Sequence, residues 1–377
     1  MILSTLCGCQ ELLNLFNKDE PPETPPIVLA EGEMSFHFMM LGNNNAGDCI
    51  YVKAGDTDIL IDAGSIISSV PYIKEYIDQY VTDNTLEYVI ATHAHQDHID
   101  GFVSTSKIDS IFNLYDCETI IDFPNTNKTI YDDENNLTLY GKYVQERDAE
   151  VEAGAKHYTA LECYNNQNGA QREYEFSPGM SMEILYNYYY DHNSSDENEF
   201  SVCVMFKHGS KKFLFTGDLE ERGEKKLVEY NNLGEVELYK AGHHGSQTSS
   251  TDTLLEVIKP KISVACCCAG SVKYTQNLEN TFPSQAYIDR IAPYTDRVYV
   301  SVYINVKYNS EEKKYKDDGE YLQLNGNIVI RSPQDRKDEN ENIVVGQVVV
   351  TGSNNDAKLK DTEWFKANRT TPSAWLN

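Results

Sequence analysis

Short apolar runs of strand character recur along the chain from Ser35 onward, at Phe36 to Leu41, Cys49 to Val52, Thr57 to Ile61, Tyr88 to Ala91, Met182 to Leu185, Val202 to Phe206, Phe213 to Phe215, Val236 to Tyr239, Ile262 to Ala265 and Val298 to Val302. Between them, Val70 to Val81, Ser104 to Ile111, Glu220 to Tyr230, Thr253 to Val257 and Ser284 to Ile291 carry apolar residues at three- and four-residue spacing, which predicts helices. Strands that first follow one another and are then separated by helices fit an α/β fold of two sheets covered by helices. This body is expected over residues 34–305, interrupted by a polar, Asn/Tyr/Glu-rich insertion at about 125–178. A C-terminal β-hairpin and docking segment is expected over 306–377. Trp364 and Trp375, the two tryptophans of the chain, fall there, and a disordered tail rarely carries them.

The N-terminus reads differently. Leu6-Cys7-Gly8-Cys9 resembles the lipobox ahead of a lipid-modified cysteine, although the segment before Cys9 is short and lacks Lys or Arg. Residues 1–17 are therefore either a truncated lipoprotein signal with an anchor through Cys9 or a short helix. The Pro-rich stretch within 18–33 forms a tether. An extracytoplasmic, membrane-anchored location is expected, with a cytoplasmic one as the alternative. No window approaches the roughly 18 uninterrupted apolar residues of a membrane-spanning helix.

Charge narrows the set of partners. The chain has 59 Asp and Glu against 32 Lys and Arg, a net charge of −27, which opposes general binding of nucleic acid and favours a small or locally recognised polar substrate. Its nine cysteines form no spaced framework, and Cys266, Cys267 and Cys268 read as small buried residues of a core strand.

The chemistry concentrates at His93-Ala94-His95-Gln96-Asp97-His98, directly after the strand ending at Ala91. Residues i and i+2 of an extended segment point the same way, so His93 and His95 can grip one ion while the turn carries Asp97 and His98 toward a second. Thr216-Gly217-Asp218 and Gly242-His243-His244-Gly245-Ser246 place a carboxylate and paired histidines at two further strand ends. Asp62, at the end of Ile59-Leu60-Ile61, suits the orientation of a ligand histidine from behind.

These motifs resemble those of the metallo-β-lactamase-fold hydrolase superfamily, and within it the soluble hydrolase domain of the ComEC/Rec2 competence proteins and their stand-alone relatives. The likeness runs from about Phe36 to Val302 and includes the loosely matched Gly-Asp turn between Leu41 and Cys49. It implies a four-layer αββα sandwich and two divalent ions, zinc by default and manganese as an alternative. His93 and His95 would hold the first ion, Asp97, His98 and His243 the second, and Asp218 would bridge both. Asp97 and His244 are the catalytic candidates, with His244 protonating a leaving group or binding phosphate, or else structural. Lys240 and Ser246 are candidate substrate contacts or surface residues. Asn198-Glu199-Phe200-Ser201 stands where many members place another histidine, with His192 six residues too early, and Phe282 replaces the histidine of a usual His-Pro. The implied function is metal-dependent hydrolysis of a phosphodiester or similar polar ester. The alternatives are a metal-binding surface lipoprotein with weak or lost catalysis and a nuclease linked to DNA uptake.

Overall fold

The computed structural model describes residues 27–376. Its strands form two eight-stranded sheets and one two-stranded ribbon. In the first sheet the order is Val349–Gly352, Ile328–Ser332, Met34–Phe38, Ile50–Ala54, Thr57–Ile61, Thr85–Ile90, Asp116–Asp122 and Lys156–Thr159. Pairing is antiparallel as far as Thr57–Ile61 and parallel beyond it. The second sheet runs Lys314–Gln323, Val298–Asn309, Ile262–Ala269, Leu238–Lys240, Lys211–Phe215, Val204–His208, Met180–Ile184 and Glu173–Ser177, with its parallel strands between Val298–Asn309 and Lys211–Phe215.

Strand alternation sorts the two faces of each sheet. In Lys211–Phe215, Phe213 and Phe215 turn inward to Phe36 of the first sheet, at ring distances of 4.6 and 5.5 Å, while Leu214 joins the outer layer with Leu227 and Leu255. Helix Val70–Ile77 and the Phe102, Phe112 and Tyr143 side chains cover the first sheet, and helices Glu221–Tyr230, Asp252–Ile258 and Gln285–Ile291 cover the second. The result is the αββα sandwich. Among the described residues, no helix is long and apolar enough to cross a membrane.

Several expected boundaries move. The stretch 125–178 is more than an insertion, because it supplies an edge strand to each sheet, Lys156–Thr159 and Glu173–Ser177, with helix Leu139–Ala153 before them. Edge strands tolerate polar side chains, so KHYT and EYEFS carry no apolar signal. The boundary at 305 falls inside Val298–Asn309, and no separate unit starts there. After the hairpin with Lys314–Gln323, the chain returns to the first sheet, where Ile328–Ser332 pairs with Met34–Phe38. The helix expected over 104–111 begins instead at Ile111, because Ser110 and Asn113 form a reciprocal cap. Trp364 and Trp375 are buried against the second sheet, and the indole of Trp375 donates to Thr295 O at 2.9 Å. The lipobox around Cys9 and most of the tether lie outside the described residues.

Candidate metal centre

The centre sits where both sheets present the C-terminal ends of parallel strands. Thr57–Ile61 delivers Asp62 and Thr85–Ile90 leads into His93 to His98, while Lys211–Phe215 and Leu238–Lys240 lead into Asp218 and the histidine pair. Asp62 holds a left-handed φ of 57° and accepts from the backbone N–H and the hydroxyl of Thr92, both at 2.7 Å. Its other contact is His98 Nδ1 at 2.7 Å, so it orients that ring from behind, as its strand-end position predicts.

At the middle stands Asp218. Its Oδ2 is 3.1 Å from Nε2 of His98 and 3.1 Å from Nε2 of His244. Asp48 Oδ1 lies 3.2 Å from His244 Nδ1, on the far side of that ring, without the hydrogen bond that Asp62 makes to His98. Asp48, His98, Asp218 and His244 are all buried, and their ligand atoms lie within 4.8 Å of one another. His93 Nε2 and His95 Nδ1 approach to 3.0 Å beside this cluster, near the spacing of about 3.3 Å that two nitrogens bound tetrahedrally to one ion would show. Asp97 reaches His244 Nε2 at 3.4 Å.

His98 Nε2, His244 Nε2 and Asp48 Oδ1 are buried and make no hydrogen bond of proper geometry despite these short distances. Buried polar atoms are rarely left so. Atoms that crowd together without bonding one another fit a donor set arranged around a common cation.

Of the histidine pair, the structure brings His244 rather than the expected His243 into the cluster. His243 and His244 both adopt left-handed backbone, with φ of 44° and 56°, between Gly242 and Gly245. Two such residues in succession turn the rings apart. His244 is fully buried in the cluster, whereas the His243 side chain keeps 24% exposure, bonds Glu220 through Nδ1 at 2.9 Å and leaves Nε2 4.0 Å from Asp218 Oδ2. Lys240 is no substrate contact, since its ammonium is buried on Asp48 Oδ2 at 2.5 Å, Asp218 Oδ1 at 3.2 Å and Gly217 O at 2.8 Å. Ser246 closes a turn, accepting from Thr248 N and meeting its hydroxyl at 2.9 Å. His192 is far from a ligand's place, stacked on Tyr188 at 3.7 Å and bonded to Asp191. Asp48 and Glu220 escaped the sequence reading. Asp48 lies in the Gly-Asp turn already noted, but a turn aspartate carries no mark of such a role.

Burial opposes charge on His98, but Asp218 and Asp62 outweigh it and hold the ring's pKa well above the usual histidine value. For His244, Asp218 and Asp48 overcome burial in the same way. Asp218 lies well below the carboxylate range because His244, His98 and Lys240 outweigh its burial. Burial holds the pKa of His93 well below the usual histidine value and so favours its neutral form. In metal-free protein the raised histidines contribute stability that is fully present below about pH 6.5 and lost as pH rises through their folded values. Melting temperature measured in chelator should therefore fall as pH rises above about 6.5, and a divalent ion should remove most of that fall. A flat profile in chelator would contradict the assignment.

The family model described as "Metallo-beta-lactamase superfamily" matches residues 42–102 and 197–269. Recombination protein 2 of Haemophilus influenzae is 31% identical over 68 residues, covering 18% of this chain and 8% of that protein. Competence protein ComA of Neisseria gonorrhoeae is 23% identical over 273 residues, covering 70% of this chain and 33% of the relative. The chain thus spans a third or less of the curated relatives it matches. The metallo-beta-lactamase fold protein YhfI from Bacillus subtilis aligns over 55% of this chain and 71% of its own at 13% identity, with a TM-score of 0.32. The two matched segments hold Asp48, Asp62 and His93 to His98 in one and Asp218 and His244 in the other, so every group of the candidate centre falls within the parts of the chain that are similar to the metallo-beta-lactamase superfamily.

Proposed function

We propose that the protein is a hydrolase with two divalent ions, zinc or manganese, acting on a phosphodiester or a similarly polar ester. The observation that carries this is Asp218 Oδ2 between two imidazole nitrogens at 3.1 Å, each ring backed by its own buried carboxylate. His93 Nε2 and His95 Nδ1 would hold the first ion, Asp97, His98 and His244 the second, with Asp218 shared. When bound, such ions polarise a substrate oxygen and lower the pKa of a water toward neutrality.

The chain's own groups set the stage for that chemistry. Asp62 fixes the ring of His98, Asp48 sets a negative charge 3.2 Å behind that of His244, and Lys240 locks the two carboxylates Asp48 and Asp218 in place. His243 takes over the part first given to His244. With Nδ1 donating to Glu220, its half-open Nε2 can meet a substrate oxygen or a leaving group. The net charge of −27 favours a small substrate over a long polyanion, although the likeness to competence proteins keeps single-stranded DNA on the panel. An extracytoplasmic position on an anchor through Cys9 belongs to the same proposal.

Elemental analysis after loading with zinc or manganese should find about two ions per chain, and His93→Ala should lose roughly one. Bis-p-nitrophenyl phosphate should be cleaved only by the loaded protein. Fewer than one ion per chain under every loading condition would end the two-ion reading, and cleavage of DNA in preference to the small ester would replace the substrate assignment.

A further inference from the structure

The C-terminal segment lays Leu359, Trp364, Phe365 and Trp375 on the outer face of the second sheet. Arg369 is the exception among these apolar contacts. Its residue is 9% exposed, and no carboxylate pairs with it among the described residues. Instead Nε donates to Pro283 O at 3.0 Å, and Nη2 donates to Thr281 O and to the Thr281 hydroxyl, both at 2.8 Å. Trp364 lies beneath the guanidinium at 4.9 Å. A buried charge is a costly way to fill space that Leu or Met would fill. What an arginine adds is a rigid fan of donors, and here the fan grips the chain on both sides of Phe282.

Phe282 stands at the metal centre. Its ring is 5.6 Å from that of His243, 5.7 Å from that of His244 and 5.5 Å from that of Tyr274. The same loop is tied to the histidine turn by Ser284 N, which donates to Gly245 O at 2.8 Å. Tyr274 keeps 49% exposure, so the two rings, inclined at 35° to each other, present an aromatic surface at the edge of the site. Such a surface attracts another planar ring, by stacking or edge contact.

We propose that Phe282 and Tyr274 form an aromatic wall that receives a planar ring substituent of the ester substrate, and that Arg369 is the positioning residue that holds Phe282 there. This rests on the hydrolase reading and narrows its substrate to aryl-bearing or nucleobase-bearing esters. The wall makes the C-terminal segment part of the active site through a second layer of contacts, with no atom of Arg369 near the reacting groups.

Calorimetric titration of the zinc-loaded full chain with phenylphosphonate and methylphosphonate tests this without requiring turnover. The wild type should bind the phenyl compound about tenfold tighter than the methyl one. Phe282→Ala should abolish that preference, and Phe282→Tyr should keep it. Arg369→Gln should weaken the preference to about threefold or less and speed amide hydrogen exchange over residues 278–284, with Arg369→Lys falling between. Equal affinity for both phosphonates, binding of neither, or an unchanged preference and exchange in Arg369→Gln would overturn the proposal. Aryl preference without hydrolysis of any ester would remove the hydrolase reading and leave the wall, whereas hydrolysis without aryl preference would do the reverse.

Discussion

Asp218→Asn should leave a folded protein that binds substoichiometric metal and turns over about three orders of magnitude more slowly than wild type, as expected when a shared ligand worth several kcal/mol is lost. The substitution keeps the size of the side chain, and the amide oxygen can still accept from Lys240, whose ammonium lies 3.2 Å from Oδ1. What changes is the atom at Oδ2. A neutral amide there no longer supplies the negative charge that, against their burial, raises the pKa values of His98 and His244. Both rings should become easier to deprotonate in the metal-free variant, which nitrogen-15 spectra of the imidazoles would report. The same variant loses the carboxylate proposed above to serve both ions. Asp62→Asn is the control, since it acts from behind, on His98 and Thr92, and should cost about 10- to 100-fold in metal affinity. If Asp218→Asn retains wild-type metal content, Asp218 is not the shared ligand and the centre must be organised around the histidines alone.

How far the sequence discloses this centre depends on how local each contribution is. His93 to His98 form a continuous motif after a buried strand, and the alternation of extended backbone is enough to group His93 with His95. Asp218 is legible because a carboxylate that ends an apolar strand is out of character for packing. Asp48 is not, because its place comes from distant contacts. Its backbone N–H donates to Asp97 O at 3.1 Å and its carbonyl accepts from Gly64 N at 2.9 Å, joining three loops that no spacing connects. Gly64 shows how tight that junction is, since a Cβ there would meet Asp97 O at 1.6 Å.

The placement of His244 rather than His243 in the cluster has a different origin. Composition shows that both are histidines, but which ring enters the cluster depends on two consecutive left-handed residues. The flanking glycines hint at an unusual turn without giving its direction. At the level of the fold, buried strands such as Ile262–Ala269 announce themselves, while the polar edge strands Lys156–Thr159 and Glu173–Ser177 resemble loop sequence. The return of Ile328–Ser332 to the first sheet is equally hidden, because strand order is set by packing across nearly 300 residues of chain between Met34 and Ser332.

Lys240→Met should separate a structural cation from a catalytic one. Lys240 is 1% exposed, and all three of its ammonium contacts are to groups of the fold, namely Asp48, Asp218 and Gly217 O. Methionine fills nearly the same volume, so packing changes little. The electrostatic change is large, because Asp48 and Asp218 would remain buried without the cation between them. Removing one partner of a buried ion pair typically costs about 3–5 kcal/mol, which in a protein of this size corresponds to a fall in melting temperature of roughly 4–6 °C. The loss should be greatest in chelator and smaller with zinc bound, since the ions would supply positive charge to the same carboxylates. Acidity should help as well. Without Lys240, whose attraction holds both carboxylates down against their burial, protonation of Asp48 becomes easier, so the stability gap to wild type should narrow as pH is lowered. A lysine acting on substrate would behave otherwise, leaving the melting curve within a degree or two of wild type and reducing turnover alone. Thermal unfolding of Lys240→Met with and without zinc distinguishes the two outcomes directly.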